Sequence, residues 1–346
     1  MTPIRAAVVG LGGIAEEHLV KLRRLPGVEV AGVCDLSQTL VDAVCERYSV
    51  GPGFTDYDRM LAETQPDVVH VLAPPATHAV LVGAALQAGA HVFVEKPIAP
   101  SLAEYERMRE EAVARGLLLT ENYNYLYMDS TRRGLDLFRS GQLGEAVNLD
   151  VSMGVGLGRA AYGDPDIRHF AHDMPGGALR NFASHPASIV TAVFEEWSSL
   201  AVSQRQLQAG MPGNDELRAL VGDDRVSATL SITTRSQSSQ FTWLLRCSEG
   251  TLECDVFGQR LQVIAGGSPL SKLSGEVRQG LGRLGAAAAQ VSRAATDRHS
   301  YFEGFARLLD DFYAAVAGGL PSPISLAQMD ATNRLVEELF DEERQV

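Results

Sequence analysis

The chain is 346 residues long, which at roughly 150 residues per domain predicts two domains. Hydrophobic residues at 45% and charged residues at 21% exclude a disordered or fibrous chain. Thirty Lys and Arg against 43 Asp and Glu give a net charge of −13, which sets electrostatics against a nucleic-acid partner. No apolar run reaches the roughly 18 residues of a membrane span, and the first residues enter an apolar segment without a signal-peptide pattern. Cys34, Cys45, Cys247 and Cys254 are spaced for neither a disulfide framework nor a zinc site; buried thiols in a reducing compartment account for them. The expectation is an acidic cytoplasmic protein that binds neither membrane nor nucleic acid.

Residues 4–9, 28–34, 68–72, 91–94 and 117–120 are near-continuous apolar runs, the pattern of strands covered on both faces. Between them, residues 14–25, 38–48, 78–88 and 102–114 carry apolar positions at helical spacing among good helix formers. This alternation predicts an α/β domain over 1–121, with a parallel sheet, helices on both faces and right-handed crossovers. Beyond residue 145 the pattern changes. Residues 147–155, 200–204, 216–221, 226–233, 240–247 and 261–264 alternate partially and are separated by Gly, Asn, Asp and Ser more than by helices. They predict a second domain over 122–346 with a mainly antiparallel sheet. Residues 266–300 hold five basic residues against two acidic ones amid Gly, Ser and Ala; they read as a surface excursion, or as a loop with one helix covering a site. Residues 301–317 and 326–340 are amphipathic helices around the break at Pro321 and Pro323. Packing back on the first domain is one arrangement open to the 301–346 segment.

Gly10, Leu11, Gly12, Gly13, Ile14 and Ala15 lie where the first strand meets the first helix. Gly10 permits a tight turn, Gly12 allows close approach of a pyrophosphate, and Ala15 allows close packing of helix on strand, while the helix N-terminus offers N–H groups to an anion. Asp35 ends the second strand, 20 residues beyond Ala15, where a carboxylate accepts hydrogen bonds from the adenosine ribose. Its charge repels a 2′-phosphate, and Leu36 and Ser37 bring no arginine, so NAD is favoured over NADP. This is the fingerprint of a Rossmann dinucleotide-binding domain. Glu95, Lys96 and Pro97 follow the strand 91–94, and the carboxyl ends of parallel strands face the ligand crevice. A lysine beside a cation exchanges protons more readily because its pKa falls; the plainer reading is a surface Glu–Lys pair.

Together these residues resemble the glucose-fructose oxidoreductase/inositol dehydrogenase/rhizopine catabolism (Gfo/Idh/MocA) oxidoreductases over nearly the whole chain. The resemblance is carried by Gly10 to Ala15, Asp35, the run Ala73, Pro74, Pro75, Ala76, Thr77 and His78, the segment from Ala88 to Pro97, and Gly176, Gly177, Ala178 and Leu179 leading to His185. It implies a Rossmann domain, then an α/β domain with a large open sheet used for dimer or tetramer contacts. Its cofactor-binding set is Gly10, Gly12, Gly13, Ile14, Ala15, Asp35, Ala73, Pro74, His78, Glu95 and Lys96, with Lys96 beside the nicotinamide.

Family members commonly carry Asp and His four residues apart; here the pair is Asn181 and His185. Asparagine orients an imidazole but stabilises its charged form less, so His185 either exchanges a proton or only hydrogen-bonds the substrate hydroxyl, with Lys96 the main proton carrier. The family often has arginine near Leu126. Instead this chain has Asn122, Tyr123, Asn124, Tyr125 and Tyr127 around it, side chains suited either to a sugar ring or to packing. Arg168, His169 and His172 are further pocket candidates; with Asp173 the two histidines invite a metal reading, set aside for want of a third placed ligand.

The resemblance implies an NAD-dependent oxidoreductase acting on a secondary alcohol or ketone of a sugar, amino sugar, cyclitol or nucleotide-linked sugar. Two alternatives stand beside it: a glycoside-cleaving enzyme using tightly held NAD transiently, and an NAD-binding protein whose chemistry has lapsed.

Overall fold

The computed structural model describes residues 2–156, 170–172, 174–208, 213–265, 303–341 and 344. The chain divides into two compact units, Met1–Asn122 with Ala306–Asp330, and Tyr123–Phe305 with Ala331–Val346.

The first unit is doubly wound. Strands β1 (Ile4–Val9), β2 (Val28–Cys34), β3 (Gly53–Phe54), β4 (Val68–Val71), β5 (His91–Val94) and β6 (Leu119–Glu121) form one sheet in the order β3-β2-β1-β4-β5-β6. Every pairing in it is parallel. All four residues of β4 are buried, as the apolar run requires of a strand covered on both faces. Helices α1 (Ala15–Leu22), α2 (Gln38–Tyr48), α3 (Tyr57–Thr64), α4 (His78–Gln87) and α5 (Leu102–Arg115) connect the strands. Local chemistry sets their ends: Ser37, Asp56 and Ser101 cap three N-termini through side-chain oxygens, and Gly116 closes α5 in the left-handed conformation.

Two elements here escape the sequence pattern. A two-residue strand such as β3 is too short to show a period, and α3 buries only Met60, Leu61 and Thr64. The first helix ends at Leu22 rather than running to residue 25, because the chain turns through Gly27 at φ +75° into β2.

The second unit is built on a seven-stranded sheet. Its strands are β7 (Ala146–Gly156), β8 (Ser199–Arg205), β9 (Glu216–Gly222), β10 (Ser227–Thr233), β11 (Arg235–Cys247), β12 (Gly250–Asp255) and β13 (Arg260–Ala265), in the order β13-β12-β11-β7-β10-β9-β8. All its pairs are antiparallel except β7 with β10. Helix α6 (Asp129–Arg139) packs on β12 and β13, and α7 (Gly177–Thr191) lies across β7 and β10. The sequence pattern did not mark α6 or β12. Inward positions such as Leu149, Val151, Met153, Leu230 and Trp243 are buried, while Val147, Leu220 and Ile264 are among the exposed apolar residues. Helix α8 (Glu303–Gly318) lies in the first unit from Ala306 onward, and α9 (Leu326–Leu339) divides between the units after Asp330.

The four cysteines are free thiols. Burial pushes Cys34 up to about 11 and Cys254 up to about 12, so both stay protonated and inert. No helix among the described residues is long and apolar enough to cross a membrane.

Candidate active site

The turn after β1 has the geometry an anion-binding loop needs. Gly10 sits at φ +89°, and a Cβ there would lie 2.5 Å from the Ala73 nitrogen, so the chain after β4 approaches too closely for any side chain. Nothing lies within 4 Å of a Cβ added to Gly12 or Gly13, which leaves the space above the turn open. Ala15 N–H donates to the Gly12 carbonyl at 3.0 Å as α1 begins. Asp35 Oδ2 accepts from Leu11 N–H at 2.8 Å and Oδ1 from Ser37 N–H at 2.9 Å. A carboxylate accepts at about four sites, so acceptor capacity remains for two ribose hydroxyls. These residues fit a dinucleotide. Leu36, beside Asp35, is 95% exposed, an apolar surface the sequence reading passed over.

The loop after β4 is braced from within. His78 is buried, with Nε2 at 2.7 Å from the Ala73 carbonyl and Nδ1 at 3.0 Å from the Ile98 carbonyl. Burial draws its pKa down against those two carbonyls. A neutral imidazole carries a single N–H, so His78 donates to one of these carbonyls and lies against the other, filling the space between the β4 and β5 loops that shape the ledge. Thr77 Oγ1 donates to the Pro74 carbonyl at 2.8 Å, holding the turn that leads into α4.

At the end of β5, Glu95 is 9% exposed and heavily engaged. Its Oε1 accepts from His18 Nε2 at 3.0 Å and from Asn122 Nδ2 at 2.7 Å, and its Oε2 accepts from Lys96 N–H at 3.2 Å. Burial pushes the carboxyl up, but the hydrogen bonds and charges of His18, Asn122 and Lys96 outweigh it and hold Glu95 below the usual range. Lys96 moves down too: burial disfavours its ammonium, against the opposing pull of Glu95 and Glu121.

Behind Glu95 runs a buried chain of side chains. His18 Nδ1 and His70 Nδ1 lie 2.9 Å apart, and His70 Nε2 lies 2.8 Å from the Tyr313 hydroxyl. Burial, reinforced by His18, lowers the His70 pKa well below its ordinary value, so His70 is neutral. His18 Nε2–H donates to Glu95, one proton lies between the facing Nδ1 atoms of His18 and His70, and the Tyr313 hydroxyl takes the donor or acceptor role that His70 Nε2 leaves open. The sequence reading missed His18, His70 and Tyr313; the first two meet across 52 residues of chain and the last two across 243.

In the second unit, Asn181 and His185 lie one turn apart on α7, 1% and 5% exposed. The His185 ring meets the Tyr125 ring edge-on at 4.4 Å, and Tyr125 also meets Phe241 at 5.5 Å and Phe257 at 5.4 Å. This aromatic cluster assembles from a turn, a helix, a strand and a loop, so sequence singled out Tyr125 and His185 but not Phe241 or Phe257. Tyr123 is fully buried and its hydroxyl accepts from Asn333 Nδ2 at 3.2 Å, which makes it a packing residue in this structure. Leu126 is buried as well. Gly176 starts α7 at φ +83°, where a Cβ would lie 2.2 Å from the Phe340 ring. His172 closes the short turn Phe170–His172; Arg168, His169 and Asp173 lie outside the described residues, as do residues 266–300.

Comparison with known proteins identifies the family and the fold. Residues 4–123 match the model of an oxidoreductase family with an NAD-binding Rossmann fold, and residues 132–253 match the GFO/IDH/MocA C-terminal domain. The chain is 28% identical over 267 residues to the dTDP-3,4-didehydro-2,6-dideoxy-alpha-D-glucose 3-reductase of Streptomyces violaceoruber, covering 73% of each protein. It is 34% identical over 148 residues to glycosyl hydrolase family 109 protein 2 of Akkermansia muciniphila, covering 38% of this chain and 31% of that protein. Among solved structures, the WlbA dehydrogenase of Bordetella pertussis, in complex with NADH and UDP-GlcNAcA, superposes with a TM-score of 0.81 at 17% identity, covering 99% of this chain and 95% of that one.

Proposed function

The chain belongs to the GFO/IDH/MocA oxidoreductase family, and from that footing we propose an NAD-dependent enzyme that interconverts a secondary alcohol and a ketone on a nucleotide-linked sugar, with free sugars, amino sugars and cyclitols as the wider class. The observation that carries the reading is the shared ledge of the first unit. Its phosphate-binding turn, its ribose-binding carboxylate Asp35 and its desolvated Lys96 all stand at the carboxyl ends of parallel strands. The preference for a nucleotide-linked sugar draws on the Streptomyces reductase, whose name specifies a dTDP-sugar.

When bound, NAD supplies the acceptor or donor of hydride. Gly10, Gly12, Gly13, Ile14 and Ala15 hold its pyrophosphate, with Asp35 on the ribose and Ala73, Pro74, His78 and Glu95 shaping the ledge. Lys96 takes the hydroxyl proton during oxidation and returns it during reduction. A lowered lysine pKa suits both directions, because amine and ammonium are then both populated nearer neutral pH. Within the second unit, His185 is the hydrogen-bonding or proton-exchanging group for the sugar hydroxyl. Asn181 orients it, and Tyr125 offers an aromatic face to the ring.

The test is NADH formation or consumption across a panel of dTDP- and UDP-linked sugars, free keto-sugars and polyols, with NADP in parallel. Turnover of a nucleotide-linked sugar with NAD supports the reading; turnover of polyols alone moves the substrate to the wider class. The likeness to the Akkermansia protein favours a second reading, glycosidic cleavage with NAD used transiently. Sugar release without net NADH identifies that chemistry.

A further inference from the structure

We propose that Asn122 reads the carboxamide of the nicotinamide: its Oδ1 accepts a hydrogen bond from the amide N–H of the cofactor. This rests on the NAD reading above and assigns Asn122 to the cofactor instead of the sugar. Asn122 follows β6 directly and is 5% exposed. Chemistry settles which way its amide points. Nδ2 lies 2.7 Å from Glu95 Oε1, and a carboxylate only accepts, so the nitrogen faces Glu95 and Oδ1 turns away from it. That Oδ1 is buried and has no hydrogen-bond partner among the described residues. Buried acceptors in native proteins are seldom left in that state, and one at a ligand crevice calls for a donor from the ligand.

The place in the sheet says which donor. In the order β3-β2-β1-β4-β5-β6 the topological switch falls between β1 and β4, where a dinucleotide lies across the strand ends. Asp35, after β2, takes the adenosine side. The nicotinamide half therefore extends over β4, β5 and β6, where Glu95, Lys96 and Asn122 stand. The ring's one N–H-bearing group is its primary carboxamide.

The experiment compares two cofactors that differ at that group. NAD and 3-acetylpyridine adenine dinucleotide, which carries a methyl ketone in place of the amide, are titrated calorimetrically into the full chain and into Asn122→Leu, which keeps the branched shape and removes the acceptor. The wild type should bind NAD about tenfold more tightly than the analogue, the worth of one hydrogen bond left unmade. Asn122→Leu should bring the two within about twofold; the ratio cancels general damage from losing the contact to Glu95. If Asn122→Leu does not fold, Asn122→Ala makes the same comparison. A wild-type ratio near one overturns the assignment. Equal discrimination in wild type and variant overturns it too, because another group then reads the amide. Failure of the wild type to bind NAD at all is a different result, which removes the cofactor reading together with this one.

Discussion

Lys96 shows how one residue is tuned by opposing neighbours. Burial draws its pKa down, and the carboxylates of Glu95 and Glu121 pull it back only in part. Oxidation of an alcohol needs the free amine, so its rate should climb with pH and level off below the range where an ordinary lysine titrates. Reduction needs the ammonium and should fall across that same range. Rate–pH profiles in both directions check the sign, and a profile unchanged in Lys96→Ala would assign the limb to another group. Lys96→Ala itself should lose about a thousandfold in turnover, the scale of a missing proton carrier. Its NAD affinity should hold to within about threefold; near-normal turnover would remove Lys96 from the chemistry. Gly10 makes a purely steric case. Its φ of +89° and the Ala73 nitrogen 2.5 Å from an added Cβ forbid a side chain. Gly10→Ala should therefore lower stability by about 1–3 kcal/mol in denaturant melts.

At the scale of elements, strand ends bring charged groups to the ledge and hold them there. Asp35 is pinned at the end of β2 by the N–H groups of Leu11 and Ser37, so its charge has a fixed position. Asp35→Asn keeps an acceptor and removes the charge that repels a 2′-phosphate. The ratio of NAD to NADP affinity should drop about tenfold in that variant, and an unchanged ratio would show that another group sets the preference. Spacing between glycines and the carboxylate made this much legible in sequence, because one βαβ unit spans it. The chain Tyr313–His70–His18–Glu95 was illegible for the opposite reason: α8, β4, α1 and the end of β5 each contribute one member. Its stacking on Phe93 means that His70→Phe preserves the ring and deletes the hydrogen bonds. That variant should cost about 1–3 kcal/mol of stability, for the His18 nitrogen left unpaired in a buried site. A melt identical to wild type would show that the chain contributes nothing to the fold.

For the whole molecule, the open question is what meets the outer face of the seven-stranded sheet. Asp150 joins Arg246 and Thr229 there, and Ser231 Oγ donates to Ser152 Oγ, while Leu220 stands 53% exposed among these polar side chains. We propose that copies of the chain pair through this face as a dimer or tetramer. Light scattering should give a mass of two or four chains for the wild type, and Leu220→Glu should shift it to one. A wild-type mass of one chain would end the proposal.

The amino-acid sequence by itself determined the parallel sheet of the first unit, the mainly antiparallel sheet of the second, the glycine turn after β1 and the place of Lys96 at the end of a parallel strand. Those features are written in short-range signals: apolar period, glycine spacing and the distance from one strand end to the next. Tertiary structure alone decided which way the Asn122 amide points, that Tyr123 packs rather than faces outward, and that Tyr125 shares a cluster with His185, Phe241 and Phe257. Burial and hydrogen-bond partners are properties of what surrounds a side chain, and residues far apart in the sequence supply those surroundings.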